Sequence, residues 1–490
     1  MESPDKSSNL RKKAVKGVIW SAIETWGRQS ISFALFFLLA RLLEPETFGL
    51  VALSSVFLAF LQIFLEQGFS QAIIQRQNLE PEHLDTAFWT NLGLSILLAT
   101  ISISSADWLG ELFKEPQISP IIRWSSVGFL ISAFSRVQEA TLQRQLAFKA
   151  LAQRSLVGVV IGGSVGVTMA FMGFGVWSLV GQQLSNSLVQ VLVLWMLSDW
   201  RPRFKFSPKH FKELFSFGVH VMGIDLCTFF SRRSDDFLIG YFLGSSALGY
   251  YTVAYRVFSI LTEVLAGIIA KVTLPMFAKL QQEPEKLRNA LYKAIQLTSL
   301  TTFPVFLGIL ALAPELVRVI FGAKWEPSIP VLQVLNLVGI LYAYFYFNGS
   351  LIMAVGKPSV KLGLDFVQAI SNIVAFSIAV QWGIVYVAGG FVIRGYLIAP
   401  IIVWVIWKLV HINVVTYLRQ GVVPLAGTAI MLVAIFGIKY FLSYLTINPA
   451  LILAISILLG STVYVFSILL LAPKLFWEVV NIVRYSNANT

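Results

Sequence analysis

Apolar residues run along this chain in long blocks, and short clusters of polar and charged residues separate them. An α-helix needs about 20 residues to cross roughly 30 Å of hydrocarbon at 1.5 Å per residue, and the blocks have that length. The pattern predicts fourteen helices, over roughly 17–40, 47–65, 86–105, 118–135, 155–172, 175–197, 217–242, 247–270, 294–313, 330–352, 362–380, 384–407, 422–441 and 449–472. The expected fold class is therefore an all-α polytopic membrane protein.

Composition supports this, since 57% of the 490 residues are hydrophobic and 13% charged, outside the range of soluble domains. The single cysteine, Cys227, excludes an internal disulfide and reads as a small buried hydrophobe. A net charge of +12 would suit nucleic acid, but placing the N-terminus inside puts most Lys and Arg on one side of the predicted spans. The positive-inside rule then sets both termini in the cytoplasm and makes the charge an orientation signal. The basic start (Lys6, Arg11, Lys12, Lys13, Lys16) looks like a signal-peptide head. The apolar run after it is too long and lacks an A-x-A site, so it is expected to stay attached.

The chain also repeats. "ARLLEPETFGLVAL" (40–53) returns as "GYFLGSSALGYYTV" (240–253), with Leu43 over Leu243 and Gly49 over Gly249. "LFKEPQISPIIRWSSVGFL" (112–130) is matched by "IFGAKWEPSIPVLQVLNLVGIL" (320–341), and "GFGVWSLV" (173–180) by "QWGIVYVA" (381–388). An offset of six helices keeps both copies in the same membrane orientation, which describes two parallel lobes. The expected organisation is a basic tail 1–16, a first lobe 17–197, a basic linker 198–216, a second lobe 217–407, an added helix pair 408–472 and a tail 473–490.

"FFSRRSDDFLIG" (229–240) places two arginines and two aspartates in an otherwise apolar block. Each charge at bilayer depth costs roughly 2.5–3.5 kcal/mol, so four cost on the order of 10 kcal/mol unless paired or wetted. A polar loop between two short spans is one reading. The repeat gives another, because the first outward turn, "LEPETFG", corresponds to "LGSSALG" (243–249), past the charges, and so sets 229–240 in the outer half of a helix. At 100° per residue, Asp225, Arg232 and Asp236 then fall within about 20° of one line, with Arg233 and Asp235 flanking at about 80°.

Further charges sit in other predicted spans: Glu24 and Arg28 at i, i+4, Arg256, Glu263, Asp365 and Arg394. They read either as neutralising ion pairs that fix packing or as the lining of a polar path. Arg28, Arg232, Arg233 and Arg256 are four cations near mid-depth, and arginine's planar fork binds oxyanions in pairs, so the implied ligand is anionic and large.

Other chemistry finds little support. "GSLIMAVGKPS" (349–359) is not a phosphate-binding loop, because its glycines are misplaced and proline follows Lys357. His83, His210, His220 and His411 show no metal-ligand spacing and read as packing or interfacial residues, so no metal is expected. Asn348 opens an N-x-S sequon inside an apolar block, a chance match. The stretch 137–155 reads as an amphipathic basic helix on the cytoplasmic face. The longest outward segment, 314–329, is short for an enzyme that must hold two sugar substrates.

The runs "KKAVKGVIWSAIETWGRQSISFALFFLLARLLEPETFGLVAL" and "DDFLIGYFLGSSALGYYTVAYRV", with the fourteen-span plan, resemble polysaccharide-transporter (Wzx-type) flippases of the multidrug/oligosaccharidyl-lipid/polysaccharide exporter superfamily. The resemblance implies two pseudo-symmetric six-helix lobes around a V-shaped central cavity. It also implies a bacterial inner-membrane protein that moves undecaprenyl-pyrophosphate-linked oligosaccharides to the periplasmic leaflet by alternating access. Arg28, Arg232, Arg233 and Arg256 would meet the pyrophosphate. Glu24, Asp225, Asp235, Asp236, Glu263 and Arg394 are the coupling or ion-pair candidates. No cofactor is expected beyond a coupling proton or sodium ion, which neighbouring arginines oppose. The partners expected are the lipid-linked substrate, membrane lipids, a polysaccharide polymerase and glycosyltransferases. A drug or metabolite exporter of the same superfamily and a membrane glycosyltransferase or ligase are the alternative readings.

Overall fold

The computed structural model describes residues 4–66, 68–76, 78–445, 447–478 and 481. Among them the regular structure is α-helix with two single-turn 3₁₀ segments. The chain forms two compact units, Met1–Gly249 and Tyr250–Thr490.

The first unit holds α1 (Pro4–Leu42), α2 (Pro45–Glu66), α3 (Phe69–Gln75), α4 (Pro81–Leu112), α5 (Ile118–Ser125), α6 (Val127–Arg144), α7 (Phe148–Phe171), α8 (Trp177–Leu197) and the beginning of α9 (Pro208–Leu280). α9 breaks at Gly244, whose φ of 82° and ψ of 178° suit glycine and turn the chain. The repeat groups residues 217–243 with the second half of the chain, whereas their contacts place them in the first unit.

α7 and α8 pack backbone to backbone. Gly158, Gly162 and Gly166 recur at helical spacing, and a Cβ on Gly162 would lie 2.6 Å from the Asn186 Cβ and 2.8 Å from the Gln182 carbonyl oxygen. Small residues let membrane helices approach this closely, and the amides that α8 carries beside them bond along their own helix, Gln190 Nε2 donating to Asn186 Oδ1 at 3.0 Å.

The two turns that the repeat equates meet reciprocally. A Cβ on Gly49 would strike the Ser245 carbonyl oxygen at 1.7 Å, and one on Gly249 would strike that of Pro45 at 1.9 Å. Pro45 and Ser245 are themselves equivalents at the same offset. Glu115 accepts from the Ser245 N–H and hydroxyl and pins the second turn.

The basic linker lies along the start of α4. The Arg203 N–H donates to Asp85 Oδ1 at 2.9 Å, the Ser207 N–H to Thr86 Oγ1 at 3.1 Å, and Trp89 Nε1 to the Arg203 carbonyl at 2.7 Å. Phe204 stacks on Trp89 with centroids 4.9 Å apart.

The second unit completes α9 and continues with α10 (Pro284–Ile320), α11 (Ser328–Asn336), α12 (Gly339–Phe345), α13 (Asn348–Ala354), α14 (Pro358–Ala379), α15 (Ile384–Val410), α16 (Val414–Arg419), α17 (Val422–Ser443) and α18 (Pro449–Leu471). The helix pair α17–α18 docks on α10, where Lys439 Nζ bridges Glu315 at 2.9 Å and donates to the Ala311 carbonyl at 2.8 Å, and where Tyr464 donates to the Leu300 carbonyl at 2.8 Å.

Eleven helical segments among the described residues are long and apolar enough to cross a membrane, against fourteen predicted spans. α1, with Glu24, Arg28 and Gln29 at its centre, and α8, with Gln182, Gln183, Asn186 and Gln190, fall outside that set, and the seventh and eighth predictions join in Asp225–Leu265. Two predicted helices are interrupted: 118–135 is broken at Ser126, and 330–352 is split into α11, α12 and α13. These occupy equivalent places in the repeat. The amphipathic helix expected over 137–155 does not form. α6 ends at Arg144, Leu146 turns with a φ of 58°, and α7 starts at Phe148. The basic residues there are used internally, Arg154 on Glu139 at 2.8 Å and Arg144 on the Ile73 carbonyl at 2.7 Å.

Candidate functional site

Residues 229–240 lie within continuous helix, four positions short of the break at Gly244, which removes the polar-loop reading. Arg233 Nη1 donates to Asp236 Oδ2 at 3.0 Å, one turn along. Asp235 is buried at 5% exposure, and both Asp235 and Asp225 are engaged by neighbours. Arg232 behaves differently. Its guanidinium is exposed, and among the described residues it makes no hydrogen bond or ion pair.

On α1, Glu24 is half-buried and Arg28 exposed, and the two form no ion pair despite their i, i+4 spacing. Among the described residues of these two helices, Arg28 and Arg232 are thus unpaired and Arg233 is paired.

In the second unit Arg256 is exposed on α9 and has no ion-pair or side-chain hydrogen-bond partner among the described residues. Glu263, two turns further on, is exposed and engaged by neighbours. Asp365 pairs with Lys361 at i, i+4. Arg394 is half-buried, stacks on Phe391 with its guanidinium carbon 5.1 Å from the ring centroid, and lines a cavity of about 220 Å³. Neither Glu263 nor Asp365 neutralises it.

A second cluster escapes sequence reasoning. The Glu80 N–H donates to His83 Nδ1 at 3.2 Å, so the ring proton sits on Nε2 and faces Glu213 Oε2 at 3.3 Å. Arg76 also donates to Glu213. The rings of His83 and His210 lie 4.0 Å apart, tilted by 46°, and His210 Nε2 is 3.3 Å from Glu80 Oε2. The His83 hydrogen bond and the Arg76 charge hold Glu213 below the usual carboxylate range. Ligand atoms of Glu80, His83 and His210 come within 4.8 Å of one another. With both nitrogens of His83 occupied by hydrogen bonds, however, the ring offers no lone pair to a metal, and the group acts as a clasp between α4 and α9. The one legible signal is a shared start: α4 opens Pro81-Glu82-His83 and α9 opens Pro208-Lys209-His210.

Residues 38–330 match the family model described as polysaccharide biosynthesis protein. The succinoglycan biosynthesis transport protein ExoT of Rhizobium meliloti (strain 1021) is 30% identical over 74% of this chain and 73% of its own length. The teichuronic acid biosynthesis protein TuaB of Bacillus subtilis (strain 168) is 26% identical over 95% of this chain and 97% of its own. The lipid II flippase MurJ, in an inward closed conformation, shares the fold with a TM-score of 0.76 at 15% identity, covering 94% of this chain and 99% of that one. A family match over more than half of the chain, with end-to-end relatives and a shared multi-pass helical fold, establishes that this protein belongs to the polysaccharide biosynthesis protein family of membrane transporters.

Proposed function

We propose that the protein is a flippase that carries undecaprenyl-pyrophosphate-linked oligosaccharide from the cytoplasmic to the periplasmic leaflet of a bacterial inner membrane, with both termini cytoplasmic. The observation that carries this reading is the set of unpaired, exposed arginines among the described residues: Arg28 on the polar-centred α1 and Arg232 in the first unit, and Arg256 in the second, the last two within a segment long and apolar enough to cross a membrane. A structural ion pair would consume such charges. A translocated diphosphate needs them free, because a polyanion cannot cross hydrocarbon unaided. Arg233, held by Asp236, enters as a reserve that becomes available if the pair opens.

The polyprenyl tail gains about 0.8 kcal/mol per buried CH₂ and stays in lipid, so only the head group needs a path. Alternating access moves that head without breaking or making a covalent bond, which distinguishes the protein from the glycosyltransferases that would supply its substrate and the polymerase that would consume it. The family's transport proteins and the MurJ fold support this reading. Among the carboxylates, Glu24 is the proposed carrier of a coupling proton or sodium ion: it is half-buried and, among the described residues, makes no ion pair, whereas Asp236 is tied to Arg233.

The test is complementation of a flippase-deficient strain with Arg232→Ala and Arg256→Ala at matched protein level. Each is expected to lower surface polysaccharide about tenfold, the effect of losing one charge-assisted contact. Wild-type polysaccharide in both would refute the assignment.

A further inference from the structure

We propose that the cavity beside Arg394, inside the second unit, is a binding site for a phosphate-class oxyanion. Arg394 lies ten residues into α15, about 15 Å from that helix's start and near its middle. The remaining charged residue on α15, Lys408, sits in its last turn. A lone charge so deep in an apolar helix marks a ligand or ion path when nothing neutralises it.

Nothing does among the described residues. Arg394 has no ion pair, and its Nε is buried without a hydrogen-bond partner. Asp365 is taken by Lys361, and Glu263 acts electrostatically on Tyr346 and makes no ion pair with Arg394. Stacking on Phe391 covers one face of the guanidinium, which fixes its plane and leaves the N–H groups around its edge as the free donors.

The same cavity is lined by Tyr346 and Gln368, whose side chains carry no hydrogen bond among the described residues, and by Tyr342, which acts electrostatically on Arg394. A guanidinium, an amide and a phenol around one void offer several donors to one tetrahedral anion, with the charge supplied by arginine. Leu341 and Ile402 close the apolar side. At about 220 Å³ the cavity falls below the roughly 300–1,000 Å³ of sites for drug-sized ligands. It suits a phosphate or a lipid phosphate group, and not an oligosaccharide.

This inference stands on the second unit alone and does not depend on the flippase reading. Its source of phosphate is either a phospholipid head group or free inorganic phosphate, and the experiment separates them. Full-length protein in nanodiscs of a zwitterionic lipid is titrated with inorganic phosphate by thermophoresis. In parallel, retained phosphatidylglycerol is counted by native mass spectrometry of the detergent-solubilised protein.

Wild type is expected to bind one of the two probes saturably, with affinity reduced about tenfold or more in Arg394→Gln and unchanged in Arg318→Gln, at an arginine outside the cavity that pairs with Glu326. Phosphate binding identifies a free anion, and one extra phosphatidylglycerol identifies a lipid head group. Should Arg394→Gln fail to fold, Arg394→Lys keeps the charge and loses the planar fork, and Tyr346→Phe removes one donor. Both are expected to weaken the same probe, the first more than the second. Binding of neither probe, or equal binding by wild type and the folded variants, overturns the site. Because polysaccharide export is not the readout, a failed flippase assignment would leave this result intact.

Discussion

Two charged regions of this molecule use their charges in opposite ways. At the start of α4 and α9, in the basic linker region, Arg76, Glu80, His83, His210 and Glu213 are all engaged with one another, and the neighbouring Asp85 and Thr86 take backbone N–H groups from the linker. In the apolar stretches of α1 and α9, Arg28, Arg232 and Arg256 stand exposed and unpaired among the described residues. Charge is cheap near water and expensive at membrane depth. A chain selected for stability alone would pair its arginines where they cost most. Here, among the described residues, the linker-region charges are paired with one another, while in the apolar part of α9 Arg233 is paired with Asp236 but Arg232 and Arg256 are not, as the proposed ligand role requires.

The comparison breaks most directly if a free arginine is given a partner. Thr228→Glu places a carboxylate one turn before Arg232 on an exposed position, and i, i+4 Glu–Arg pairs form readily on helices. We expect surface polysaccharide to fall about tenfold with unchanged thermal stability, while Thr228→Gln retains export. Export unaffected by the new pair would mean that Arg232 needs no freedom.

The converse experiment opens the pair that exists. Arg233→Ala leaves the Asp236 carboxylate, 14% exposed on its side chain, without its partner. It should cost about 1–3 kcal/mol in thermal unfolding, and Arg233→Ala/Asp236→Ala should recover most of that. A double variant as unstable as the single one would show that the pair is not the relevant contact.

The clasp predicts smaller, purely structural effects. Asp85→Ala removes the acceptor of the Arg203 N–H at a residue 1% exposed and should cost about 1–2 kcal/mol, with export per folded molecule preserved. The smallest effect is in pH. Glu213 is held below the usual carboxylate range by His83 and Arg76, so its contribution is present above that range and lost as pH falls through the lowered value. A stability titration from neutral to acid should therefore decline less steeply in Glu213→Gln than in wild type.

Much of this division was legible in the residues, and the parts that were not share a cause. Block length gave the helical membrane fold, and the repeat set 229–240 inside a helix while pairing Gly49 with Gly249. Their reciprocal contact with Ser245 and Pro45 shows why glycine stands at both places. Eleven described segments qualify as crossings by length and composition against fourteen expected, because α1 and α8 carry polar residues at their centres and Asp225–Leu265 counts once across the turn at Gly244, and hydropathy cannot see the interruptions at Ser126 or between α11 and α13. Residues 137–155 were misread because one helix end and the next helix start together imitate an amphipathic period. The His83–Glu213 clasp was invisible since its members lie 130 positions apart, and neither helix pattern nor repeat links them. Spacing left open whether Glu24 and Arg28 pair, and among the described residues they form no ion pair.

The most direct test follows lipid-linked sugar itself. Its appearance in the periplasmic leaflet, read by a membrane-impermeant glycan label in cells with matched protein levels, is compared between wild type, Arg28→Ala/Arg232→Ala/Arg256→Ala and Arg233→Ala/Asp236→Ala. The account predicts that the triple variant folds and leaves the sugar in the cytoplasmic leaflet while the double variant still delivers it. Wild-type delivery by the triple variant would contradict it.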